Sequence, residues 1–148
     1  MPSKGPIVLP SIAADDDLGP FPIEPSWMVA GTPTTRARRL MLVDDSALSS
    51  TLWETTAAQF EWHYGSDELV MIVDGEVEIT PPSAKTFTLR KGDVMFVPAG
   101  HVLSWNVPVF VKKLVVNPVH TPLMRRLAVR IPFARSLVRR LRMVRGQA

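Results

Sequence analysis

From Arg39 onward, apolar and polar positions alternate in short bursts: Leu40-Met41-Leu42-Val43, Ser50 to Thr55, Phe60 to Tyr64, Leu69 to Val73, Glu76 to Thr80, Thr86 to Leu89, Val94 to Val97, Leu103 to Val107 and Val109 to Val116. The bursts are rich in Val, Ile, Thr and aromatic residues, and turn chemistry separates them: Asp-Asp-Ser, Asp-Gly, Pro-Pro-Ser, Lys-Gly-Asp and Pro-Ala-Gly. Eight or nine short strands with no helix between them predict an all-β sandwich or closed barrel. Asp74-Gly75 reads as a hairpin signal. Gly92, five residues, then Pro98-Ala99-Gly100 reads as a turn, a short strand and a rigid corner, because Pro sets φ while Gly reaches the positive φ of a sharp return.

The flanks follow other patterns. Residues 1–35 carry Pro2, Pro6, Pro10, Pro20, Pro22, Pro25 and Pro33 without a helical or strand period, which predicts an extended arm wrapping the body through Phe21, Ile23 and Trp27. The barrel is expected over 36–118 and a C-terminal extension over 119–148. There, His120-Thr121-Pro122 is a helix start, and Leu123, Leu127, Ile131, Ala134, Val138 and Leu141 recur at helical spacing, with a kink at Pro132. All fourteen acidic residues lie before Pro118, with nine Lys/Arg, whereas residues 118–148 hold eight arginines and no acid. An acidic body thus carries a basic amphipathic tail. That tail suits packing on the barrel or on a second subunit, or contact with an anionic membrane surface; no base-reading nucleic-acid module accompanies it.

Composition narrows the chemistry. With 148 residues, 46% of them hydrophobic, one core and one domain with extensions are expected. The absence of cysteine removes disulfides, thiolate metal sites and cysteine nucleophiles. No apolar stretch is long enough to span a bilayer and the N-terminus does not read as a signal peptide, so a cytoplasmic protein is expected, with the tail allowing peripheral membrane contact.

The run Trp53-Glu54-Thr55, Phe60-Glu61-Trp62-His63-Tyr64, Asp67-Glu68, Asp74-Gly75, Gly92-Asp93 and Pro98-Ala99-Gly100 resembles the small single-domain cupins grouped with the (S)-ureidoglycine aminohydrolase cupin family, over about residues 25 to 117. The resemblance implies a double-stranded β-helix of the jelly-roll kind, a homodimer and a small-molecule site inside the barrel. In the general cupin pattern three histidines and a glutamate bind a divalent metal. Here Glu68 and Gly75 match the Glu-x6-Gly portion and His63 takes the second histidine position, but Glu61 stands at the first, Leu103 replaces the third and Val107 the asparagine. Glu61-x-His63 resembles the Glu-x-His pair of manganese-dependent members. With Glu68 it makes an oxygen-rich candidate set for manganese or another divalent ion, Glu61 and Glu68 doubling as candidate proton-transfer groups in hydrolysis of a C–N bond.

Alternation supplies the competing arrangement. Phe60, Trp62 and Tyr64 share the strand face opposite Glu61 and His63, and aromatics at period two ordinarily face a core. In that case Trp62, Tyr64, His101, Leu103 and Trp105 would line a binding pocket and the Glu61/His63 pair would face solvent or a partner subunit. Trp53, Trp105 and Phe110 also suit core filling, and Glu54 and Asp67 suit satisfying turns or backbone amides. Lys112 and Lys113 fall in one strand, so at most one points inward, where it would orient an anionic ligand or pair with Glu68. The expected function is binding of a small carboxylate- or amide-bearing molecule. The alternatives are a metal-dependent aminohydrolase and a dimeric scaffold with a docking tail.

Overall fold

The computed structural model describes residues 17–42 and 48–119, with isolated positions 6, 8, 9, 11 and 12 before them. The predicted tail helix lies outside these residues. Eight strands follow in order: β1 (Gly19–Pro20), β2 (Met28–Ala30), β3 (Thr35–Leu42), β4 (Leu48–His63), β5 (Glu68–Thr80), β6 (Phe87–Arg90), β7 (Val94–Val97) and β8 (Val102–Pro118). A 3-10 turn at Pro25–Trp27 precedes β2. All pairings are antiparallel.

Three long strands build both layers of the barrel. The first half of β4 pairs with β3 and with the end of β8, while its second half pairs with β2 and with the start of β8. Likewise β5 begins beside β7 and ends beside β6, with β8 on its other side throughout. One layer therefore runs β1-β3-β4-β8-β5-β7 and the other β2-β4-β8-β5-β6. The predicted short strands are in several cases halves of these, because a strand that bends at a bulge can continue where turn residues would otherwise end it.

The bulges also reverse which residues face inward. On β4 the register shifts between Thr56 and Ala58. Trp53 before the shift and Phe60 and Tyr64 after it are all buried, although their numbers differ in parity. On β5 the register shifts on either side of Asp74-Gly75, so that Val70 and Ile72 are inside before it and Val77 and Ile79 after it. Asp74-Gly75 is thus a bend within a strand, correcting the predicted hairpin. Gly75 has φ of 73°, and a Cβ there would stand 2.1 Å from the Phe110 carbonyl oxygen, so the close approach of β8 requires glycine. The Gly92 and Pro98-Ala99-Gly100 corners behave as predicted, bounding β7 with φ of 94° and 89° at the two glycines.

The inner faces hold one apolar core, including Phe60, Val70, Ile72, Val77, Ile79, Trp105, Val107 and Val111. Each such aliphatic or aromatic side chain contributes roughly 1.5–3 kcal/mol by leaving water. The described part of the arm joins this structure more closely than its sequence predicts. Gly19–Pro20 and Met28–Ala30 add edge strands, Ile23 is buried and Trp27 packs against the core. Edge positions tolerate proline because they need no inward-facing ladder donor.

Candidate functional site

A cavity of about 360 Å³ opens on the inner face of the first layer, a size suited to a small ligand. Its floor comes from β4 and β8: Ser49, Thr51 and Trp53 on one, and Lys113, Val115 and Asn117 on the other. Two-residue spacing sends each trio to the same side. Ala37 and Arg39 of β3, Glu68 at the start of β5, Trp62 and Phe21 complete the lining. Phe21 and Arg39 are exposed and mark the mouth, whereas Lys113 at the base is 1% exposed.

Lys113 is the unusual residue. Its ammonium stands over three indole rings, 4.7 Å from the centre of Trp53, 4.5 Å from Trp62 and 4.3 Å from Trp105. The aromatic walls are held by each other, with Trp53 and Trp62 edge to face and Phe60 stacked on Trp105. Nζ nevertheless makes no hydrogen bond among the described residues, and neither does the indole N–H of Trp53. Two buried donors on one cavity wall lack acceptors, and an unmet buried donor costs free energy until an acceptor arrives.

Burial pushes the Lys113 amine down to about 8, against the pull of the nearby Glu68 charge, which favours the ammonium. The π faces of the indoles also favour the cation, so they oppose the desolvation. Glu68 is half-buried, and burial raises its pKa while Lys113 restrains the rise. Both groups are therefore displaced toward their neutral forms. Behind this wall, Tyr64 accepts a hydrogen bond from the Trp105 indole at 3.2 Å, and burial holds its phenol well above the usual range. At the rim, the Ser49 hydroxyl donates to Asn117 Oδ1 at 2.7 Å.

The predicted metal set is not brought together. Phe60 and Tyr64 point into the core, which turns Glu61 and His63 outward, where both are exposed. The His63 ring stacks on Trp27 at 4.9 Å, while Glu68 lines the cavity on the inner side. Among the described residues no group of three His, Asp or Glu side chains is placed to hold a metal ion. The aromatics claim the inner face because their burial outweighs that of a charged pair, which would need compensation inside.

Of the predicted pocket residues, Trp62 lines the cavity and Trp105 walls the ammonium. Tyr64 supports Trp105 from behind, and Leu103 is buried in the core. His101 is exposed, with Nδ1 3.0 Å from the Pro98 carbonyl oxygen at the corner, and does not line the cavity. Asp67 accepts from the Ala99 amide at 2.8 Å, the backbone role expected of it. Sequence reasoning limited the inward lysines to one without choosing between them. It missed Arg39, Ser49, Thr51 and Asn117, whose alternation along β3, β4 and β8 was the available signal.

Comparison with known proteins agrees with the geometry at the level of the domain. Residues 43–114 match the family model described as the EutQ-like cupin domain. The acetate kinase EutQ of Salmonella typhimurium is 30% identical over 73 residues, which make up 49% of this chain and 31% of that protein. The chain thus spans less than a third of this curated relative. Among solved structures, an ethanolamine utilization protein Q from Salmonella typhimurium LT2 superimposes with a TM-score of 0.52 at 27% identity, covering 57% of this chain and 69% of that one. A DUF861-family protein of unknown function from Pseudomonas syringae pv. tomato does so with a TM-score of 0.64 at 25% identity, covering 72% and 46%. With two strand layers, glycine corners at Gly92 and Gly100 and a cavity on the inner face, the chain shares the fold of these solved structures, and its residues 43–114 are similar to the EutQ-like cupin domain.

Proposed function

We propose that this cupin domain binds a small molecule bearing a carboxylate, or an amide in its place, in the cavity above Lys113. The observation that carries the reading is the buried Lys113 ammonium, which has no hydrogen-bond acceptor among the described residues and faces a lined cavity. An incoming carboxylate oxygen would satisfy that donor, with Arg39 at the mouth adding a second cation. Trp53, Trp62 and Phe21 would cover the apolar part of the ligand, leaving Ser49, Thr51 and Asn117 to orient a polar substituent.

Acetate is the natural first probe, since the relative from Salmonella typhimurium is named as an acetate kinase. Glycolate and glycinamide extend the panel to hydroxyl and amide groups. Isothermal titration calorimetry should detect at least one of these with the wild-type chain and lose it in Lys113→Met, whose side chain keeps the apolar stem but not the charge. Equal heats for wild type and Lys113→Met would sink the reading. The aminohydrolase alternative needs Glu61, His63 and Glu68 at one ion, and the outward placement of the first two gives it no support.

A further inference from the structure

Resting on that binding site, we propose that Lys113 is also a nucleophile: its amine condenses reversibly with the carbonyl group of a small 2-oxo acid or aldehyde acid, and Glu68 carries the protons. The geometry has four parts. The amine nitrogen has no hydrogen-bond partner among the described residues, so nothing engages its lone pair once it is neutral. It lies at the base of a cavity large enough for a two- or three-carbon acid. Three indole rings surround it and keep bulk water from the bond that would form. Glu68 is the carboxylate in the same lining and acts electrostatically on the amine, so a ligand oxygen or a water seated between them can relay protons from one to the other.

The neighbouring residue shows that this arrangement is not a general consequence of a lysine in β8. Lys112 is as buried as a typical core residue but lies on the opposite face, 3.9 Å from the Glu54 carboxylate. Its charge has a partner, and it is not among the residues that line the cavity above Lys113. Desolvation of a lysine in an apolar pocket is a recognised way to make its amine reactive at moderate pH, and the lowered basicity of Lys113 agrees with that.

The step balances without an external oxidant or reductant. The ammonium first passes a proton, through a water in the cavity, to the Glu68 carboxylate. Its lone pair attacks the carbonyl carbon, the C–N bond forms, and the carbonyl π pair moves to oxygen, which takes the proton from Glu68. The nitrogen then yields its second proton to Glu68. That proton is returned to the hydroxyl, and the nitrogen lone pair expels it as water. One protonated imine and one water result from one ammonium and one carbonyl, and Glu68 ends as the carboxylate it began as. The ligand carboxylate remains free to meet Arg39 or Asn117 at the cavity rim.

The test uses the full chain with glyoxylate and cyanoborohydride, followed by peptide mapping by mass spectrometry. Reduction of the imine leaves a carboxymethyl group on the nitrogen that formed it. The expected result is labelling of Lys113 on the order of tenfold faster than the exposed Lys85 and Lys91, the advantage of a positioned over a free reactant. Glu68→Gln should slow it on the order of a hundredfold. Glycolate, which carries the carboxylate without the carbonyl, is titrated in parallel. If glycolate binds and Lys113 stays unlabelled while Lys85 and Lys91 react, condensation is overturned and the binding reading stands. If glycolate neither binds nor competes and Lys113 is unlabelled, both fall. Should the Glu68 variant not fold, the wild-type labelling pattern still decides.

Discussion

Lys112 and Lys113 are adjacent on one strand and both are buried, yet the two faces of the sheet treat them oppositely. On the outer face Arg36, Glu54 and Lys112 stand directly opposite one another on β3, β4 and β8. Arg36 donates to Glu54 from Nε at 2.8 Å and also from its terminal nitrogen, and Lys112 approaches the other carboxylate oxygen. On the inner face Lys113 has indole rings around it, Glu68 within electrostatic reach and no hydrogen bond among the described residues. The outer charges complete each other. The inner charge has no such complement among the described residues, and that difference is what the binding proposal rests on.

The largest test of this contrast is Glu54→Ala. Removing the carboxylate that Arg36 and Lys112 share breaks a ladder in which Glu54 and Lys112 are both buried, and breaking a buried pair costs about 3 kcal/mol. Urea denaturation should show a lower midpoint with the slope unchanged. A loss below about 1 kcal/mol would mean that the ladder is surface decoration.

Next comes pH. Lys113 has a folded pKa of about 8 against an ordinary value of 10.5, so between these limits the unfolded chain binds more protons than the folded one. Stability contributed by this residue is therefore least below pH 8 and rises with pH toward 10, by about 1 kcal/mol per pH unit at most. Glu68 has the opposite sense: its raised pKa makes the folded state bind more protons just above the ordinary carboxylate range, and its contribution declines as pH rises through that window. Denaturation midpoints from pH 7.5 to 10, compared between wild type and Lys113→Met, isolate the first effect. Parallel slopes in the two proteins would show that Lys113 is not the source.

Lys113→Met should itself raise stability at pH 7, by about 1 kcal/mol, because an apolar side chain needs no acceptor and still packs against indole. A loss of about 2 kcal/mol would make the ammonium a structural element held by its aromatic contacts. The smallest effect belongs to Glu61→Ala and His63→Ala. Both residues are exposed, and each change should stay within about 0.5 kcal/mol and leave ligand heats unaltered. Loss of binding in either would return them to the site.

Much of the architecture was legible in the chain. The β7 segment, bounded by Gly92 and Gly100, matches its predicted span of Val94 to Val97 because glycine and proline constrain local backbone directly. The inward face of Phe60 and Tyr64 followed from period two over a few residues. Asp74-Gly75 was misleading because the same positive φ serves either a hairpin turn or a bulge, and only the strand packed beside Gly75 distinguishes them. Family resemblance pointed to Glu61 and His63 through their spacing, but spacing is indifferent to which face looks inward.

The sequence by itself determined the strand-rich class, the glycine corners, the aromatic side of β4 and the fact that only one of two lysines could enter the barrel. These are consequences of local backbone geometry and the two-residue period. Tertiary structure alone decided that Lys113 is the one inside, that three tryptophans from separate stretches of chain meet around it, and that Glu68 joins it while Glu61 and His63 do not. The physical reason is the bulge. Where the register shifts along β4 and β5, the parity of the buried positions changes from Trp53 to Phe60 and from Ile72 to Val77, so the membership of the site depends on where long strands bend between two layers.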